Sequence, residues 1–217
     1  MKKIIIKVCG MREPKNIKDV ESLDVDFLGF IFFSGSTRYI GCGVEALESI
    51  RNCTKTKVGV FVNEKFDDII AMAESYRLDC LQLHGNETTD LCKDLQQRGY
   101  SAIKAFSIGT ADDFKIAENY SGCCDYFLFD TKCAGYGGSG KRFDWSLLAE
   151  YKGQTSFLLS GGLTPDCAGD INRLNHLMFA GIDLNSGFEI SPAKKDIDKL
   201  KNFINHVRKS DIKKQLL

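Results

Sequence analysis

The chain predicts an α/β fold, a single (β/α)8 barrel of the TIM type, and three observations carry that prediction. Short apolar runs alternate with amphipathic helical stretches along nearly the whole sequence. About eight such strand-helix units recur at a spacing of roughly 25 residues, with short connections and no linker. The runs end on glycine, polar or titratable residues, as expected where the carboxyl ends of parallel strands line a ligand site. A length of 217 residues is compatible with one barrel domain spanning 1–217. The alternative is a doubly wound open sheet, which usually has fewer units.

The first strand is expected at residues 2–10, a continuous apolar run closed by Gly10, with Cys9 delivered to its carboxyl end. Pro14 suits a first helical turn, and 16–23 reads as the first helix. Further strands are expected at 26–33, 58–62, 80–83, 102–106, 126–129, 157–159 and about 180–184. Helices are expected at 44–51, 66–76, 88–98, 111–120, 145–151, 165–174 and 193–208, with Thr88 or Thr89 as a cap for the third of these after the first strand pair. The polar tail 209–217 is expected to fray.

Lys plus Arg and Asp plus Glu both number 29, so the chain has no net charge, and a broad basic face for nucleic acid is not expected. Apolar residues make up 43% and charged residues 27%, which argues against a disordered or collagen-like chain. The nine cysteines form no CxxC pair, and the start MKKIIIKVCG lacks the h-region and cleavage site of a signal peptide. A reduced cytoplasm is the expected compartment. No window approaches the eighteen or so apolar residues of a spanning helix, so no membrane partner is expected.

Cys9 and Asp130, which closes the sixth strand (YFLFD), project at one rim and form a candidate acid-base pair. Taken singly, a buried thiol is more often inert and a strand-end aspartate more often a turn former. Lys7 shares the face of Cys9 and could place an ammonium that favours thiolate. Arg38, beside Ser36 and Thr37, offers a fork for a carboxylate, with a solvated surface arginine as the alternative. Gln82 and His84 close the fourth strand and could line the mouth. Glycine-rich loops follow the seventh strand (Ser160-Gly161-Gly162-Leu163) and the eighth (Asn185-Ser186-Gly187-Phe188), where barrels often hold a phosphate on backbone amides.

The loop 135–142 matches GxGxxG through Gly135, Gly137 and Gly140 and almost matches a P-loop. A P-loop needs Ser or Thr where Arg142 stands, and both motifs should begin directly at a strand end, so a mobile lid fits better. His176 and His206 lie on separate segments without paired Cys/His spacing, so no metal site is expected. Cys42, Cys53, Cys80, Cys92, Cys123, Cys124, Cys133 and Cys167 read as small apolar fillers.

The ordered set Lys7-Val8-Cys9-Gly10, Leu28-Gly29-Phe30-Ile31-Phe32, Ser36-Thr37-Arg38-Tyr39, Leu81-Gln82-Leu83-His84-Gly85, Phe129-Asp130-Thr131, Gly137-Gly138-Ser139-Gly140-Lys141, Ser160-Gly161-Gly162-Leu163 and Gly181 to Glu189 resembles the phosphoribosylanthranilate isomerase family. The resemblance implies a (β/α)8 barrel performing an Amadori rearrangement in tryptophan biosynthesis, without a cofactor and with a phosphosugar as its partner. It implies Cys9 as general base, Asp130 as general acid and Arg38 as the partner of the anthranilate carboxylate. Gly161, Gly162, Ser186 and Gly187 would hold the phosphate, and Gln82, His84 and Asp183 would complete the substrate-binding set. A monomer is the default expectation. Arg142, Asn185, Phe188 and Thr37 depart from the family's usual residues, which bears on loop motion and substrate affinity.

Overall fold

The structure is a computed structural model, and it describes residues 3–41, 44–132 and 142–215. Eight parallel strands pair in sequence order and close on themselves, β8 against β1. In chain order these are β1 (Ile5–Val8), β2 (Phe27–Ile31), β3 (Thr56–Phe61), β4 (Cys80–Leu83), β5 (Ser101–Ile108), β6 (Tyr126–Thr131), β7 (Phe157–Leu159) and β8 (Phe179–Leu184). Between them run α1 (Pro14–Glu21), α2 (Val44–Arg51), α3 (Phe66–Tyr76), α4 (Thr89–Gln97), α5 (Asp113–Glu118) and α6 (Ala168–Arg173). Pro14 occupies the first turn of α1, and the Thr88 side chain caps α4 by accepting from the Leu91 amide at 3.3 Å.

Two apolar cores follow from strand alternation. One lies between the strands and the helices, where Leu28, Phe61, Leu83, Phe127 and Phe157 meet Ile17, Ile69, Leu95 and Phe114. The other fills the barrel, with Val58, Cys80, Ile103, Leu128, Leu158 and Ala180 packed against Ile5, Phe27 and Tyr126, so that every strand contributes. Two residues further along the same inward parity come Lys7 after Ile5, Gln82 after Cys80, Asp130 after Leu128 and Ser160 after Leu158. The mouth is therefore the polar continuation of the inner core.

Four expected elements differ. The expected helix at 145–151 is a 3₁₀ segment, Trp145–Glu150, capped by Asp144, whose carboxylate accepts from the Ser146 amide. The one at 165–174 is a 3₁₀ turn, Pro165–Cys167, leading into α6. The last helix starts not at Ala193 but at Ile197, because residues 189–195 form a hairpin of β9 (Glu189–Ser191) and β10 (Lys194–Lys195). Pro192 takes the turn corner its fixed φ suits, and Ala193 follows at φ +68°, outside the helical region. That last helix, α7 (Ile197–Gln215), also continues through most of the tail expected to fray. Of the loop 135–142 read as a lid, all but Arg142 lies outside the described residues, as do Cys42 and Cys133. No described helix is long and apolar enough to cross a membrane.

The β8–β1 register aligns Lys7 with Asp183, and their side chains meet at 2.9 Å, both buried. A buried pair of this kind adds little net stability, but removing one partner strands the other charge. Lys7→Met should therefore destabilise the fold by about 3–5 kcal/mol, and Lys7→Met with Asp183→Leu should recover most of the loss. Equilibrium urea unfolding measures both; equal losses in the single and double variants would contradict this role.

Candidate active site

One cavity opens at the carboxyl ends of the strands, lined by Cys9, Arg38, Gln82, His84, Asp130, Ser160, Gly161, Gly162, Asp183, Asn185 and Ser186, with Ile31, Phe33, Val60, Val62 and Leu163 as its apolar wall. The structure thus gathers nine of the ten residues singled out in the sequence, from six of the eight strand ends. The tenth, Gly187, sits one residue behind the lining.

Cys9 is buried at the head of β1, its amide bound to the Leu184 carbonyl at 2.9 Å. Burial pushes its thiol above the ordinary range; Lys7 and Lys195 pull it down without prevailing. The expectation that Lys7 favours thiolate is therefore right in sign, but burial outweighs it. Lys7 itself feels burial lowering its pKa, and the Asp183 carboxylate and Cys9 sulfur more than offset that.

Asp130 stands on β6, three strands round from β1 through β8 and β7. Its Oδ1 accepts from the Thr131 amide at 2.7 Å, and its Oδ2 lies 3.6 Å from Nε2 of His84. The His84 Nδ1 meets the Gln82 amide nitrogen at 2.9 Å, and with that nitrogen as donor a neutral His84 carries its proton on Nε2, toward Asp130. Gln82 is buried, and its Oε1 has no partner among the described residues.

Gly161, at φ +83°, lets the loop after β7 lie directly against this carboxylate: a Cβ there would stand 2.7 Å from Asp130 Oδ1 and 2.5 Å from the Thr131 nitrogen. Beyond β8, residues Ser186–Phe188 form a 3₁₀ turn. Gly187 brings it against the Leu163 carbonyl, 2.0 Å from where a Cβ would be. The two glycine-rich loops are thus one surface, and the opening amides of such a turn have no acceptor within it.

Arg38 is half-buried and paired rather than a solvated surface arginine. Its Nε and Nη2 form a fork on Glu189, at 2.9 Å to Oε1 and 2.7 Å to Oε2. Glu189 also accepts from Lys195 Nζ at 2.7 Å and from the Ala193 amide at 3.1 Å. Burial raises the Glu189 pKa, and Arg38 and Lys195 override it, so that it falls below the ordinary carboxylate range. Lys195 in turn donates to Asn185 Oδ1 at 2.8 Å. The departure at Asn185 thus answers a lysine, and that at Phe188 fills a buried space against Phe203, ring centroids 4.8 Å apart. Arg142 pairs with Asp170 at 2.9 Å and lies over the Trp145 ring.

Sequence reasoning does not single out Glu189 or Lys195: Lys195 falls inside the helix expected from residue 193, and Glu189 lies between that helix and the last expected strand, where no element is expected. The signal was present, in that Pro192 two residues before Lys194 favours a turn over a helix entry. Cys53, Cys80, Cys92, Cys123, Cys124 and Cys167 are buried free thiols. No cluster of three or more metal-ligating side chains occurs among the described residues.

Residues 6–206 match the family described as N-(5′-phosphoribosyl)anthranilate (PRA) isomerase. The N-(5′-phosphoribosyl)anthranilate isomerase of Parabacteroides distasonis is 57% identical over 207 residues, covering 94% of this chain and 93% of that protein. Phosphoribosyl anthranilate isomerase from Thermotoga maritima superposes with a TM-score of 0.80 at 34% identity, covering 95% of this chain and 99% of that one. A phosphoribosyl anthranilate isomerase in complex with reduced 1-(o-carboxyphenylamino)-1-deoxyribulose 5-phosphate gives 0.79 at 32% identity, with coverage of 95% and 99%.

The raised Cys9 thiol makes a prediction. Its iodoacetamide labelling, followed by peptide mass spectrometry, should still be climbing above about pH 8.5, where a free thiol is half ionised, and should be slower in Lys7→Met. A plateau below that pH would contradict the burial effect.

Proposed function

The chain belongs to the N-(5′-phosphoribosyl)anthranilate isomerase family, and we propose that its barrel mouth carries out the family's reaction with Cys9 as base and Asp130 as acid. The reaction converts N-(5-phosphoribosyl)anthranilate into 1-(2-carboxyphenylamino)-1-deoxyribulose 5-phosphate, an Amadori rearrangement in tryptophan biosynthesis. The observation that carries the assignment is the convergence of a thiol and a carboxylate on one cavity whose other walls offer an arginine and two glycine-rich loops.

Asp130 protonates the furanose ring oxygen; the bond from that oxygen to C1′ breaks as the anilino nitrogen forms an iminium with C1′. The Cys9 thiolate then takes the C2′ proton, and the electrons of that C–H bond move into C1′–C2′ and quench the iminium. The resulting enol tautomerises to the ketone as C1′ gains a proton. Each positioned proton transfer contributes roughly a hundredfold to ten-thousandfold in rate. The buried thiol, raised in pKa, leans on the nearby cations Lys7 and Lys195 and on the positive iminium to be drawn into its thiolate form.

The phosphate sits on the amides of Gly161, Gly162, Ser186 and Gly187. Arg38 takes the anthranilate carboxylate with the guanidinium donors that Glu189 leaves over, and the aromatic ring lies along Ile31, Phe33 and Val60. The unpartnered Gln82 Oε1 suits a sugar hydroxyl, and Asp183 lies beneath the sugar. Holding both ends fixes the sugar carbons between base and acid.

Cys9→Ser and Asp130→Asn should each lower turnover by about a hundredfold or more, while affinity for the reduced product analogue stays within a few-fold. Loss of substrate fluorescence during turnover measures the rate, and near-normal turnover in either variant would refute that residue's role. Arg38→Ala should raise KM by roughly tenfold or more, and an unchanged KM would place the carboxylate elsewhere.

A further inference from the structure

Between β2 and the β9–β10 hairpin, three charged side chains form a line: Arg38, Glu189 and Lys195. The fork of Arg38 most suited to a carboxylate is already spent on Glu189, at 2.9 Å and 2.7 Å. Taken alone, that pair is neutral, and a ligand carboxylate approaching it would gain nothing from net charge. Lys195, with 0% of its side chain exposed, changes this by closing on the far side of Glu189 at 2.7 Å, which leaves the trio with one positive charge. Asn185 and Asn16 hold Lys195 in place, Asn185 on its ammonium and Asn16 on its main chain in both directions.

We propose that Lys195 is a positioning residue for substrate selection: it cancels the charge of Glu189, so that Arg38 is at once oriented by a carboxylate and still positive toward the carboxylate of the ligand. This rests on the assignment of Arg38 to the anthranilate carboxylate. The site then selects aromatic amines bearing an acidic group beside the nitrogen, and the selectivity resides in a hairpin outside the β-barrel itself.

The test uses two probes, reduced 1-(o-carboxyphenylamino)-1-deoxyribulose 5-phosphate and the same molecule lacking the carboxylate, with affinities from calorimetry on the full chain. Wild type should prefer the carboxylated probe by about tenfold or more. Lys195→Met should remove about tenfold of that preference while leaving the other probe within about twofold. Glu189→Gln, which keeps an acceptor for Arg38 but not the charge, should keep or raise the preference. Glu189→Gln with Lys195→Met should return to within about threefold of wild type. If Lys195→Met does not fold, Lys195→Gln replaces it with the same expectation.

The proposal is overturned if Lys195→Met keeps the full preference, if it weakens both probes equally, or if Glu189→Gln and Lys195→Met lose the preference together. A wild type without any preference would instead remove the Arg38 assignment, and this inference with it.

Discussion

The seam where β8 closes on β1 is the contact on which the rest of the mouth depends. It is a register as well as a closure, setting Lys7 beside Asp183 and binding the Cys9 amide to the Leu184 carbonyl. A one-residue slip of either strand would turn its charged residue outward into the apolar layer under the helices and leave both buried charges unpaired. The ion pair thus makes one register the affordable one, and that register presents the thiol of Cys9 to the cavity. Beyond the seam the chain goes straight into Asn185 and the turn of Ser186–Phe188, and then into the hairpin that carries Glu189.

Charge is unevenly spread around this mouth. Lys7, Arg38 and Lys195 collect around β1 and the segments beside it, whereas Asp130 and His84 stand on β6 and beyond β4. Each cation is neutralised by a carboxylate except for the one charge left on the Arg38, Glu189 and Lys195 line. Cations near Cys9 oppose the penalty of ionising a buried thiol.

Much of this was legible in the residues because barrel strands obey a two-residue period. Cys9, Gln82, His84 and Asp130 end apolar runs on the inward parity, so their convergence follows from alternation and closure alone. The glycine-rich loops after the seventh and eighth strands could be placed the same way, and their mutual contact through Gly187 and Leu163 could not, since it depends on the packing of two loops distant in sequence. The hairpin that carries Glu189 and Lys195 was hidden for a different reason: residues 193–196 continue smoothly into a helical pattern, and only the turn at Pro192 and Ala193 marks them off as a second hairpin strand. Ala193 at φ +68° is where glycine would be expected, and the Glu189 carboxylate accepting from its amide helps to hold it there. The partners of Arg142, Asp170 and the face of Trp145, likewise come from packing and were not legible in the sequence.

The central claim is that a thiol and a carboxylate address the sugar from different sides, and the most direct measurement is a crystal structure of this chain with reduced 1-(o-carboxyphenylamino)-1-deoxyribulose 5-phosphate. The account predicts Cys9 Sγ at about 3.5 Å from C2′, with the Asp130 carboxylate within hydrogen-bonding reach of the oxygen that closed the ring. It further places the phosphate on the loops of Gly162 and Gly187 and the ligand carboxylate on Arg38. A ligand whose C2′ faces Asp130, or whose phosphate lies toward Arg38, would contradict it.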